Sequence, residues 1–250
     1  MLVSDRPILI LGGTAEASRL ASQLIARNYR VISSLAGRTR NPAKLEGEVR
    51  IGGFGGARGL IAYIASHDVS LLIDATHPFA MQISDNAILA AASTGILFVR
   101  LDRPAWHPKP GDKWSIVSSL EEAVSAIPPR ARVLLALGRQ HIAPFSRRGD
   151  VHFVVRMIDP PEVPLDLVDF ELELSRPGKT EDEVAFLTGK RITHIICRNS
   201  GGSASYTKIK AARDLGVPII MIDRPARREA HVLPDVESVL AFVDEAISLP

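Results

Sequence analysis

Residues 7–38 read PILILGGTAEASRLASQLIARNYRVISSLAGR, and the changes of pattern along that stretch decide the fold. An apolar run over 8–11 stops abruptly at Gly12-Gly13-Thr14. A helical spacing comes next, with Ala17, Leu20, Ala21, Leu24 and Ile25 on one face, and a second β-rich run covers 30–36. Strand, glycine turn, helix and strand in that order form the first unit of a dinucleotide-binding fold. Its glycines let backbone N–H groups approach a pyrophosphate, and the helix start adds partial positive charge. The glycines are adjacent rather than spaced G-x-G-x-x-G, so the turn also fits a plain strand-to-helix connection. The second strand's end favours the dinucleotide reading. It carries Ser33, Ser34 and Arg38 and no carboxylate. A ribose 2′-OH calls for an acid at that place, whereas a 2′-phosphate calls for hydroxyls and arginine. The expected cofactor is therefore NADP.

The same alternation continues. A short strand near 49–51 ends in Gly52-Gly53-Phe54-Gly55-Gly56, read equally well as a surface turn or a ligand-facing loop. A nearly all-apolar run over 69–75 reads as a central parallel strand ending in Asp74-Ala75-Thr76-His77-Pro78-Phe79-Ala80. Pro78 suits the first position of a helix, with Thr76 or His77 capping it, and Asp74 suits a carboxylate accepting backbone N–H bonds. Gly12, Ser34, Gly52 and Asp74 all fall at strand carboxyl ends, where ligands sit in such sheets.

Residues 100–114, RLDRPAWHPKPGDKW, break the pattern with three prolines and a glycine. The expected organisation is an NADP-binding domain over 1–102, a linker over 103–114 and a second α/β domain over 115–250. The fold class is α/β, two Rossmann-like domains with mostly parallel sheets and an interdomain cleft. In the second domain, strand-end turns at Gly138-Arg139-Gln140, Ser175-Arg176-Pro177-Gly178, Asn199-Ser200-Gly201-Gly202 and Arg224-Pro225 carry arginines, with Arg198 beside Asn199. Each alone reads as a solvated charge; several together suit a ligand with many carboxylates.

The chain has 250 residues, 46% hydrophobic, with a net charge of +2 and one cysteine, Cys197. It holds no internal disulfide and no cysteine-rich metal site, so no metal is expected. No apolar span of about 20 residues is present, and the arginines are dispersed, so neither a membrane span nor a nucleic-acid surface is expected. MLVSDRP is too short and polar for a signal peptide, which leaves a cytoplasmic protein as the expectation.

Taken together, these motifs resemble the precorrin-6A reductase family of cobalamin biosynthesis over nearly the whole chain. The resemblance rests on GGT-x-E at 12–16, GGFGG at 52–56, DATHPFA at 74–80, RPAW at 103–106, LGRQ at 137–140, RNSGG at 198–202 and IDRP at 222–225. It implies an NADPH-dependent reduction of one ring double bond of precorrin-6A to give precorrin-6B. In that reading Gly12, Gly13 and Thr14 hold the pyrophosphate, and Ser33, Ser34 and Arg38 hold the 2′-phosphate. Gly52 and Gly53 border the cofactor, and Thr76, His77 and Pro78 lie near the nicotinamide. The substrate's acetates and propionates fall to Arg103, Arg139, Arg176, Arg198, Asn199, Ser200, Lys208 and Arg224. His77 and Tyr206 are the candidate acids, if the reaction uses one. Two alternatives stay open: a cobalt-precorrin-6A reductase, and a non-enzymatic NADP-sensing protein. The partner is a small-molecule tetrapyrrole, and a monomer is admissible.

Overall fold

The computed structural model describes residues 4–37, 45–203 and 205–247. In chain order it contains β1 (Ser4–Leu11), α1 (Ala15–Ala26), β2 (Tyr29–Leu35), β3 (Glu48–Ile51), α2 (Ala57–Ser66), β4 (Leu71–Asp74), α3 (Met81–Thr94) and β5 (Leu97–Leu101). Next come β6 (Trp114–Val117), α4 (Leu120–Ser125), β7 (Arg132–Ala136), two 3-10 turns (Arg139–His141 and Ala143–Arg147), β8 (His152–Met157), β9 (Phe170–Leu174) and α5 (Thr180–Gly189). The last elements are β10 (His194–Arg198), α6 (Thr207–Leu215), β11 (Ile219–Ile222), β12 (Val232–Leu233) and α7 (Val236–Ile247).

The chain folds as two units. The first comprises residues 1–104 and 226–250, the second residues 105–225. The first holds a parallel sheet of order β12-β5-β4-β1-β2-β3. Counted from β1, that is the 3-2-1-4-5-6 order of a dinucleotide-binding sheet, with β12 as the sixth strand. The second unit's parallel sheet runs β6-β11-β10-β7-β8-β9. Counted from β7 it has the same order, with the sixth place filled by a strand that precedes β7 in the chain.

Sequence expectation and structure part at the chain's end. The second unit stops at Pro225, and the last stretch returns to the first. Leu233 pairs with Leu101 across β12 and β5. Val236, Val239, Leu240 and Val243 of α7 join Ile8, Ile10, Leu20, Leu24 and Val99 in one buried cluster. Full burial of each such side chain contributes about 1.5–3 kcal/mol, which is why this amphipathic helix docks where an apolar sheet face is open. Arg27 and Tyr29 add polar contacts to Asp244, the tyrosine at 2.9 Å. Asp235 caps α7, accepting the Ser238 N–H at 2.8 Å. The expected linker over 103–114 is also divided. Arg103 belongs to the first unit, Trp106 is buried in the second unit's core, and Trp114 begins β6.

The opposite face of the first sheet is covered by α2 and α3 over Leu9, Leu11, Ile32, Leu60, Ile64 and Leu72. β4 is buried at all four positions, as its apolar sequence requires. α3 starts later than the sequence suggests. Ala80 is its N-cap, so Pro78 lies in the preceding turn rather than at the first helical position. Besides the two 3-10 turns, three elements escaped the sequence reading: β9, with its Phe170-Glu171-Leu172-Glu173-Leu174 alternation, α5, with Glu181, Asp182 and Glu183 in its first turn, and the two-residue β12.

Candidate functional site

In the first unit the candidate site is built from four strand ends. At the end of β1, Gly12 donates its N–H to the Ser34 carbonyl at 2.9 Å, tying the turn to β2. Gly13 has φ +104°, a conformation that side chains rarely adopt, and a Cβ there would meet nothing within 4 Å. Gly52 repeats the arrangement with φ +117° and open space. Backbone strained in this way without any packing reason suits a ligand lying against it. Thr14 caps α1. Its Oγ1 accepts the Ala17 N–H at 3.1 Å and donates to the Ala75 carbonyl at 2.9 Å. The Thr14 hydroxyl is thus committed to shaping the turn, so Thr14 can address a pyrophosphate only through its backbone, at the positive end of a 12-residue helix. The glycine cradle and the capped helix fit a dinucleotide.

At the end of β2 the two serines separate. Ser33 pairs in register with Ile10 and Ser34 with Leu11. Successive strand residues face opposite sides, so both hydroxyls cannot address one phosphate. The Ser33 Oγ is buried with no hydrogen-bond partner among the described residues. Ser34 faces Arg50, whose Nη1 lies 3.4 Å from its Oγ. Arg38 lies outside the described residues. Arg50, overlooked in the sequence, also donates to the Gly52 carbonyl, and to that of Gly53 at 2.7 Å. Its guanidinium lies 3.8 Å from the Phe54 ring centre. A lone arginine in a four-residue strand carries no pattern, and only its register opposite Ser34 reveals it.

The β4 end is held by a buried ionic network. The Asp74 Oδ1 accepts from the Thr76 N–H at 3.1 Å and the Thr76 Oγ1 at 2.6 Å. Its Oδ2 lies 3.4 Å from Arg100 and 3.6 Å from Arg227. Arg227 also pairs with Asp102 at 2.9 Å and donates to the Ser84 Oγ at 2.6 Å. The Thr76 hydroxyl is therefore spent inside the protein. The next two residues form the turn, in which Phe79 N–H reaches the His77 Nδ1 at 3.3 Å. A neutral His77 accepting there carries its proton on Nε2. Thr14, Glu16, Thr76, Pro78, Asp102 and Arg103 line one recess at these ends. Arg103, expected to meet substrate, pairs there with Glu16 at 2.7 Å.

In the second unit the strand-end polar residues fall into two groups. One group braces the loop after β10. Asn199 takes the Trp106 N–H at 2.8 Å and donates to the Trp106 carbonyl at 3.1 Å. Arg224 donates to the Asn199 and Ser200 carbonyls at 2.9 and 3.2 Å. Ser200 is buried. The Asn199 side chain and these Arg224 donors are thus committed to the loop rather than displayed to a ligand. The other group is more open. Arg176 is exposed, Arg139 pairs with Glu162 at 3.1 Å, and Arg198 contacts the His141 Nε2 at 3.1 Å.

Lys208 is 5% exposed, donates to the Ser205 carbonyl at 2.8 Å and lies 5.1 Å from the Trp106 ring centre. Burial pushes its ammonium below the usual lysine range. Tyr206 packs on Trp106, and its hydroxyl accepts from Arg213 at 2.7 Å. Arg213 is itself held by Asp112 at 2.9 Å. Among the described residues no group of three or more His, Cys, Asp or Glu side chains is placed to hold a metal ion, and no helix is long and apolar enough to cross a membrane.

Comparison with known proteins bears on the whole chain. The family model for Precorrin-6x reductase CbiJ/CobK matches residues 7–244. A precorrin-6A reductase of Rhodobacter capsulatus is 42% identical over 97% of this chain and 98% of its own length. One from Sinorhizobium is 47% identical over 96% and 91%. A cobalt-precorrin-6A reductase of Priestia megaterium is 31% identical over 96% of this chain and all of its own. A solved structure titled CobK precorrin-6A reductase superposes with a TM-score of 0.93 at 42% identity, covering 96% of this chain and 97% of that one.

Proposed function

The chain belongs to the precorrin-6x reductase family CbiJ/CobK, and from that membership we propose that it reduces one ring double bond of precorrin-6A, using NADPH. The observation that carries this reading is the match over residues 7–244, backed by relatives of that name at 42% and 47% identity. The cobalt-named relative, at 31%, is more distant, which favours the metal-free substrate.

When bound, NADPH would supply the hydride for one carbon of the double bond, and a proton would complete the neighbouring carbon. The residues of the first unit bind and orient. Backbone at Gly12 and Gly13 and the capped start of α1 take the pyrophosphate. The Asp74–Arg100–Arg227 network fixes the Thr76-His77-Pro78 turn beside the reacting end. Positioning against an already electrophilic conjugated ring supplies most of the rate. His77, whose neutral form carries its proton on Nε2 when Nδ1 accepts from the Phe79 N–H, is the candidate acid; water or a substrate carboxyl serves equally well. Arg139, Arg176, Arg198 and Lys208 are the second unit's candidates for the macrocycle's carboxylates. Arg103 joins them only by exchanging Glu16 for substrate.

The test follows the NADPH absorbance band with metal-free precorrin-6A and purified protein. Oxidation with a matching change in the macrocycle spectrum is expected. Turnover only with cobalt-precorrin-6A would move the protein to the other branch. Tight NADPH binding without oxidation by either substrate would leave the sensing reading.

A further inference from the structure

The exposed rim of the first sheet carries a guanidinium that no carboxylate balances among the described residues. Arg50 closes β3, in register with Ser34 of β2 and on the same face of the sheet. Its acceptors are the Ser34 hydroxyl and two glycine carbonyls, all neutral. Its plane is held against Phe54 at 3.8 Å from the ring centre, so the fork is fixed in place rather than swinging in water. β3 stands two strands, about 10 Å, from β1 and its glycine turn. The Gly12 N–H to Ser34 carbonyl bond makes the turn and the β2 end continuous. In a dinucleotide laid across the strand ends, the adenosine ribose falls at the end of the strand next to β1 on this side. That is the Ser34 position, and Arg50 is the fixed cation beside it.

We propose that Arg50 binds the 2′-phosphate of the dinucleotide, with Ser34 as its hydroxyl partner, and so sets the preference for NADP over NAD. The proposal rests on the NADPH reading above and adds the residue that makes the choice. It also revises the expectation drawn from the sequence. Ser33 faces the α1 side and has no part in the choice; Arg38 lies outside the described residues. The Nη1 donors and one Nη2 donor serve Ser34 and the glycine carbonyls, and the Nε–H and the second Nη2 N–H leave one two-donor edge for a phosphate, which a lysine does not offer. Because the partner is a dianion held at a rim, the preference weakens with added salt.

Binding to the full chain, measured by calorimetry without any substrate turnover, tests this with NADP+, NAD+, 2′,5′-ADP and 5′-ADP as probes. Arg50→Ala is expected to weaken NADP+ and 2′,5′-ADP by about 30–100-fold, the range for a lost charge-assisted pair, while NAD+ and 5′-ADP change by less than about threefold. Arg50→Lys is expected to recover part of the loss. If Arg50 merely braces the glycine loop through the Gly52 and Gly53 carbonyls, all four probes weaken together, and the proposal falls. If Arg50→Ala keeps the full NADP+ preference, the proposal also falls while the NADPH reading stands. If the unaltered protein binds NADP+ and NAD+ equally, both fall.

Discussion

The two units share one strand order and differ in the connection that leaves the first strand of that order. After β1, Gly13 turns the chain into the 12-residue helix α1, capped by Thr14. After β7, Gly138 at φ +82° leads instead into two short 3-10 turns before β8. A 12-residue helix concentrates partial positive charge and orients N–H groups at its start, and a 3-10 turn does neither to a useful degree. The next strand repeats the contrast. β2 ends in serines beside Arg50, whereas β8 runs out into Met157-Ile158-Asp159-Pro160. The first sheet therefore carries the features that the proposed dinucleotide site uses. Among the described residues the other does not repeat them, and carries a glycine loop, a buried lysine and several arginines instead. One strand order serves two different proposed roles because chemistry resides in connections, not in strand order.

The largest expected effects concern one ion-paired arginine in each unit, buried Arg156 and partly buried Arg227. Arg156 meets Glu183 at 3.0 and 2.8 Å, both groups nearly fully buried. Arg156→Met strands that carboxylate and is expected to cost about 3–5 kcal/mol. Arg227→Met leaves Asp74 with Arg100 and is expected to cost about 2–3 kcal/mol. Both tryptophans, Trp106 and Trp114, lie in the second unit. In urea unfolding, Arg156→Met is expected to shift the tryptophan-fluorescence transition. Arg227→Met is expected to shift a circular-dichroism transition with little change in fluorescence. Equal shifts of fluorescence in both variants would show that the units do not unfold separately.

A sharper test exchanges the equivalent glycines. Both Gly13 and Gly138 have positive φ and open space above them, so alanine costs each about 1–2 kcal/mol in the backbone alone. Only Gly13→Ala also places a methyl group on the proposed pyrophosphate surface. It is expected to weaken NADP+ binding by about a hundredfold, against less than about threefold for Gly138→Ala. A comparable loss from Gly138→Ala would break the assignment of the dinucleotide to the first unit.

Most of the strand sequence was legible because parallel strands buried on both faces read as plain apolar runs; β4 and β10 show this clearly. The Gly12-Gly13-Thr14 turn was legible because local chemistry alone fixes it. The features that escaped were set by partners remote in sequence. The amphipathic pattern of α7 states that it packs, not that it packs on α1, some 215 residues away. The same holds for Arg227, whose role depends on Asp74, Ser84 and Asp102. Arg50 is closer, but its meaning lies in pairing opposite Ser34, and a short strand gives no register until its neighbour is known. Ser33 was a different kind of miss. Strand alternation alone assigns adjacent serines to opposite faces, so that signal was present in the sequence. β9 too announced itself by period-two alternation, hidden behind the proline-rich stretch before it.

The smallest expected effect separates a site lysine from a structural one in the second unit. Burial lowers the Lys208 pKa from its usual 10.5, with the Cys197 and Glu183 charges opposing the shift and that of Arg156 adding to it. A base with a lowered folded-state pKa binds fewer protons folded than unfolded between the two values. Its penalty on stability is full below the folded value, and stability rises as pH climbs from there toward 10.5. A purely structural lysine would be replaced at a loss. A cation held ready for an anionic ligand is replaced at a gain, because the site has traded stability for binding. Lys208→Met is therefore expected to raise the melting temperature at pH 7 by about 2–4 °C, with the gap closing as pH approaches 10. The same variant is expected to weaken binding of the carboxylate-rich macrocycle while leaving NADP+ affinity unchanged. A lower melting temperature at pH 7, with macrocycle binding intact, would assign Lys208 to bracing the Ser205 carbonyl and remove it from the substrate site.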